Sequence, residues 1–120
     1  MKIEVLVSTM NLKCPEELIQ TMNIRTPYII INQSGKAENF RNECIFSYKE
    51  KGLSKSRNRA IEKAKADICV IADDDVKYVQ NYEQIICNAY EKYPFADIIV
   101  FNIKSLNNER KVKKIWRKEN

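Results

Sequence analysis

Three carboxylates in a row, Asp73, Asp74 and Asp75, close the apolar run Asp67 to Ala72 (DICVIA). Like charges packed so closely repel one another unless a cation sits among them. Oxygen-only ligands select a hard divalent ion, Mg²⁺ or Mn²⁺, and an ion held by one or two carboxylates completes its shell from phosphate and water. The acids could instead cap the following turn with Asp75 turned to solvent; their place at a strand end favours the cation. A second group, Gly52-Leu53-Ser54-Lys55-Ser56-Arg57-Asn58, opens a helix whose N-terminus attracts anions, and Arg57 can pair with a phosphate or hydrogen-bond a base edge; the competing reading is a solvated helix face. A third, Ser8-Thr9-Met10-Asn11, carries polar groups suited to a base or ribose, or to an ordinary turn.

Other chemistries are excluded by what the 120 residues lack. Histidine is absent, which removes the usual general base, the usual zinc ligand and every Ser-His or Cys-His nucleophile. Cys14, Cys44, Cys69 and Cys87 form no C-x-x-C pair, so they read as buried or half-buried free thiols. The two glycines build neither a dinucleotide fingerprint nor a P-loop. The net charge of +5 is local: residues 104–120 hold seven of the 21 basic and two of the 16 acidic residues, leaving 14 of each in 1–103. A neutral body argues against a nucleic-acid-binding face. No apolar run approaches the length of a membrane span, and the first residues do not resemble a secretory leader, so the expected location is cytoplasmic.

The elements that must position these groups follow from hydrophobic period. Ile3 to Ser8 reads as a buried strand, and Pro15 to Asn23 as a helix with Pro15 in its first turn. Thr26 to Asn32 is a second strand and Cys44 to Tyr48 a short third. Ser54 is the expected N-cap of a helix running to Ala66 with Ala60, Ile61 and Ala64 inward. Asp67 to Ala72 is the next strand, Val79 to Tyr93 a helix stopped by Pro94, and Asp97 to Ile103 (DIIVFNI) a last strand. Alternating helices and continuously apolar strands predict a doubly wound, mainly parallel α/β sheet with helices on both faces, which binds ligands at the carboxyl ends of its strands.

In that order the strand followed by S-T-M-N, the strand followed by N-Q-S-G, the segment G-L-S-K-S-R-N-R-A-I-E-K-A and the run I-A-D-D-D-V resemble the nucleotide-binding half of the family-two glycosyltransferases, enzymes of the GT-A fold. The match runs over about residues 3–103, and its most specific parts are G-x-S-x-x-R-N and the D-x-D-type triplet at their mutual spacing. The resemblance implies a nucleotide-sugar-binding domain over 1–103 with a basic tail over 104–120. It places Thr9, Asn11 and Asn32 by the nucleotide, Arg57 by the base and pyrophosphate, and Asp73 by the ribose and metal shell. Asp75 then falls on the divalent cation, and Asp74 is the second choice should the register shift by one. The implied reaction is transfer of a sugar from a nucleotide diphosphate, a UDP-sugar foremost, to a saccharide or lipid-linked acceptor hydroxyl, with inversion.

The sequence departs from the family in two places. Asn32-Gln33-Ser34 stands where the family often has an acid that binds uracil. Glu109 and Glu119 lie in a Lys-rich tail and neither presents itself as a base, so the catalytic residue stays unassigned and the acceptor half is expected outside these 120 residues. In the tail, Val112, Ile115 and Trp116 amid Lys and Arg suit peripheral contact with an anionic inner membrane face, or packing on another part of the protein. The other classes considered are a non-catalytic nucleotide-binding domain and a phosphoacceptor receiver domain. The receiver needs an acidic pair after the first strand, where this chain has Ser8-Thr9.

Overall fold

A computed structural model describes residues 1–35, 40 and 42–103. The elements run β1 (Ile3–Met10), α1 (Pro15–Met22), β2 (Tyr28–Gln33), β3 (Ile45–Tyr48), α2 (Leu53–Lys63), β4 (Ile68–Asp73) and α3 (Tyr82–Lys92). The four strands form one sheet in the order β3-β2-β1-β4, with every pair parallel. The chain divides into two compact units, Met1–Tyr82 and Glu83–Asn120, and the sheet belongs to the first.

The β1-to-β2 and β3-to-β4 crossovers travel in opposite directions across the sheet. Because such crossovers are right-handed, α1 and α2 fall on opposite faces, as the doubly wound reading expects. The direction reverses between β1 and β4, and the crevice at their carboxyl ends is the switch point of the sheet. On the α2 face Leu6, Ile29 and Ile31 pack with Ala60, flanked by Phe46, Tyr48 and Ala64. β1 is buried on both sides, with Leu6 toward α2 and Val5 and Val7 fully buried on the other face, as a central parallel strand must be.

Four expectations need correction. Ser54 does not cap α2: Gly52 does, at φ +115°, a backbone conformation that glycine adopts without a Cβ penalty, and Ser54 lies inside the first turn. The inward stripe of α2 is Ser56 and Ala60, one turn apart, with Ala64 beside them; Ile61 is 51% exposed because it sits off that stripe. Residues 97–103 form no strand among the described residues, and Ile98, Phe101 and Ile103 are exposed. An apolar, β-branched run becomes a strand only where a ladder partner completes its hydrogen bonds. The thiols are all free; Cys44 and Cys87 are half-buried as expected, whereas Cys14 and Cys69 are exposed. The tail from 104 lies outside the described residues.

Two tyrosines close the first unit. The Tyr82 hydroxyl accepts from the backbone N–H of Arg25 (2.9 Å) and of Thr26 (3.0 Å) and lies 2.6 Å from Thr26 Oγ1. With both lone pairs taken, its own proton goes to Thr26. Tyr78 stacks on Tyr82 at 4.7 Å, and its backbone joins Met22 and Asn23 at the end of α1. The buried Tyr78 hydroxyl has no partner among the described residues, and burial pushes its pKa up.

Tyr82→Phe therefore costs about 1–3 kcal/mol in urea unfolding, since it orphans buried donors, whereas Tyr78→Phe is neutral or stabilising. The raised Tyr78 pKa gives stability that is full below the unfolded phenol value, about 10, and is lost as pH rises beyond it. Tyr78→Phe flattens that alkaline slope.

Candidate functional site

The alternation of β4 splits the acidic triplet. Asp73, the last strand residue, shares the α2 side with Cys69 and Ile71, whereas Asp74 turns to the side of Val7 and Thr9. Two separate contacts follow. Asp73 Oδ1 lies 3.3 Å from Nη2 of Arg57 on α2, and the Thr9 hydroxyl donates to Asp74 Oδ2 at 2.7 Å. Asp75 is exposed and makes no hydrogen bond or ion pair among the described residues. Beyond the acids the chain is held again at Tyr78, so the triplet sits on a short loop anchored at both ends.

Ser56 places Arg57. It is 1% exposed, and its hydroxyl donates to Ser8 Oγ at 2.7 Å, pinning the first turn of α2 to the end of β1. The next residue, Arg57, is thereby set beside Asp73. Its ion pair is long and single, with side chains 41% and 49% exposed, and a pair in that setting contributes little to stability. The buried Arg57 Nε has no partner among the described residues.

Arg59, two residues further on, behaves differently. It holds Glu50 through both Nε and Nη2, at 2.7 to 3.1 Å, and lies 3.7 Å over the Tyr48 ring. The guanidinium keeps the Glu50 carboxyl below its ordinary pKa. Arg57 is loosely held and Arg59 locked, although the two differ by only two positions in one helix.

The sequence-derived residues are brought together in part. Thr9, Arg57, Asp73 and Asp74 converge on the β1–β4 switch point. Asn11 follows at the end of β1 in a left-handed conformation (φ 52°), its backbone N–H on the Gln33 carbonyl and its side chain exposed. Asn32 is fully buried: Oδ1 accepts from the Leu12 N–H and Nδ2 donates to Ser47 Oγ, so its amide fixes the loop after β1 and its link to β3. Ser8, Ser56, Glu50, Arg59 and Gln33 were not singled out from sequence for the parts they play here.

Among the described residues no three Cys, Asp or Glu side chains are gathered into a closed cage. The donor set nonetheless fits a hard divalent ion that takes one or two carboxylates and draws its other ligands from phosphate and water. Asp75 and Asp73 are the residues that would hold it. No helix among the described residues is long and apolar enough to cross a membrane.

The Thr9–Asp74 bond is testable by itself. A double-mutant cycle of Thr9→Val and Asp74→Ala in urea unfolding gives a coupling of about 0.5–1.5 kcal/mol, and additive effects would mean that the bond does not form.

The family model described as Glycosyl transferase family 2 matches residues 25–119. No curated protein and no solved structure matches the chain.

Proposed function

The chain belongs to glycosyl transferase family 2, and we propose that it binds the nucleotide-diphosphate sugar donor, a UDP-sugar foremost, in the crevice where β1 and β4 end. The observation that carries this reading is the meeting of Thr9, Arg57, Asp73 and Asp74 at that switch point, where doubly wound sheets take their ligands. The family match itself supports glycosyl transfer in general, from a nucleotide sugar to an acceptor.

In this reading each group has a task suited to its setting. Arg57, held by one weak ion pair and carrying an unpartnered Nε, turns to the diphosphate and gives it a planar, multidentate donor. Thr9 and Asn11 meet the nucleoside at the end of β1, and Asp74, already steadied by Thr9, is set toward the ribose. Asn32 supports the same loop from beneath. Asp73 and Asp75 are the carboxylates that would hold the cation. A bound Mg²⁺ or Mn²⁺ supplies neutralisation of the charge that develops on the departing diphosphate. Displacement at the anomeric carbon by an acceptor hydroxyl of a saccharide or lipid-linked sugar, in a single in-line step, inverts that centre. The base that takes the hydroxyl proton is not assigned to a residue of this chain. A cytoplasmic location, with the basic tail against an anionic membrane face, is compatible with this reading.

Calorimetric titration of UDP with Mn²⁺ and with EDTA tests it. Binding is expected, and is expected to weaken at least tenfold without metal. Asp75→Asn removes the metal-dependent part while leaving thermal unfolding unchanged, since an exposed carboxylate without partners serves no packing role. Arg57→Ala weakens binding with or without metal, by about 1.5–3 kcal/mol for a lost charged hydrogen bond. Normal binding by both variants would place the site elsewhere.

A further inference from the structure

The first turn of α2 is held unlike the rest of the helix. Gly52 makes no side-chain capping bond, and Leu53, Ser54 and Lys55 are exposed. Apolar packing begins one turn later, where Ala60 meets Leu6, Ile29 and Ile31. The Gly52 carbonyl is tied to Gln33 Nε2 at 2.9 Å, and the tie to the central strand is Ser56, the first buried side chain of the helix, through its 2.7 Å bond to Ser8 Oγ. If close packing were the whole requirement, alanine at both places would serve, as Ala60 does one turn on. A buried hydroxyl costs free energy unless it is paired. What the pair adds over two methyl groups is direction, because a hydrogen bond fixes angle as well as distance. Each partner also stands immediately before a residue of the site. Ser8 precedes Thr9, which holds Asp74, and lies in register with Asp73 on β4. Ser56 precedes Arg57, whose single 3.3 Å ion pair with Asp73 is too weak to fix the guanidinium by itself. One short bond thus sets the backbone of Arg57 against the strand ends that carry Thr9 and both acids.

We propose that Ser56 and Ser8 are positioning residues for the diphosphate: their hydrogen bond holds Arg57 where its guanidinium reaches the phosphates of a nucleotide seated at the ends of β1 and β4. The inference rests on the donor-binding reading above and adds to it the pair that sets the arginine. A planar, multidentate donor must meet its acceptors in a fixed geometry, so a displacement of about 1 Å in its anchor is costly. In this role neither serine needs to touch the nucleotide; both act through Arg57.

The test measures UDP affinity by calorimetry with Mn²⁺, beside urea unfolding, for the full chain, Ser56→Ala, Ser8→Ala and the double variant, each also in an Arg57→Ala background. Either single change leaves the other hydroxyl without its partner and should destabilise, whereas the double variant sets two methyl groups face to face and should regain most of that stability. UDP binding is expected to fall at least about fivefold in each single variant and to stay as low in the double variant. In the Arg57→Ala background the same serine changes should alter affinity by less than about twofold. A role confined to stability predicts another pattern: affinity that recovers in the double variant, or that falls as far without Arg57 as with it. Either result overturns the inference, as does a Ser56→Ala chain that binds UDP like the unaltered one. A double variant that does not fold overturns it too, since the hydroxyl pair would then be a requirement of the fold. Absence of UDP binding by the unaltered chain overturns the donor-binding reading, and this inference with it.

Discussion

Parallel pairing of β1 with β2 on one side and β4 on the other is the constraint on which the rest of the molecule depends. A parallel sheet cannot be built from tight hairpins, so the chain must leave and return through crossovers, and their fixed hand decides where each helix lies. Because β1 is followed on one side and bypassed on the other, the strand ends at β1 and β4 have no connection running over them. That crevice receives the turn after β1, the acids after β4 and the first turn of α2. Residues scattered from Thr9 to Asp75 in sequence become neighbours through topology alone, and Ser56 on Ser8 sets their final spacing.

The two arginines of α2 illustrate how one helix can serve both the fold and the site. Position 59 looks back toward the end of β3, where Tyr48 gives it a ring to lie on and Glu50 a carboxylate to grip. A guanidinium satisfied on its face and along its edge has no capacity for a ligand. Position 57 is rotated by about 200° around the helix and reaches the end of β4 instead, where Asp73 offers one long contact. The same side chain thus becomes a locked strut or a loosely held group according to how many partners the fold supplies.

What was legible in the sequence was the part governed by local pattern. The apolar runs gave β1, β2 and β4 to within a residue or two, and the acidic triplet stood out because nothing apolar interrupts it. The cap of α2 was misread because Ser54 has a good capping side chain, whereas the geometry is decided by the backbone of Gly52 at φ +115°. Ile61 was misread because hydrophobicity was taken as inwardness, although α2 buries so narrow a stripe that Ser56 and Ala60 fill it. The run 97–103 has the composition of a strand, but composition cannot supply a ladder partner. The Arg59–Glu50–Gln33 chain left no signal at all: its members lie on α2, in the loop after β3 and at the end of β2, and only the fold shows that they touch. Asn32 was legible as a polar residue at a strand end, but not as one whose amide is wholly buried and engaged.

The electrostatics of the crevice favour exchange over permanence. An exposed, single-contact ion pair gains little from its mutual attraction, because water screens it and two long side chains lose freedom to hold it. The pair Arg57–Asp73 nevertheless keeps opposite charges apart from the like charges beside them, with Asp74 tied to Thr9 and Asp75 facing water. Introducing a phosphate alone would compete with Asp73 for Arg57 and leave three uncompensated acids. Introducing a divalent cation alone would draw Asp73 away and leave Arg57 without a counter-ion. Only the two together replace both halves of the pair at once, so each ligand lowers the cost of the other's binding. If the crevice holds a cation and a diphosphate as proposed, reciprocity requires each to strengthen the other's binding by the same factor.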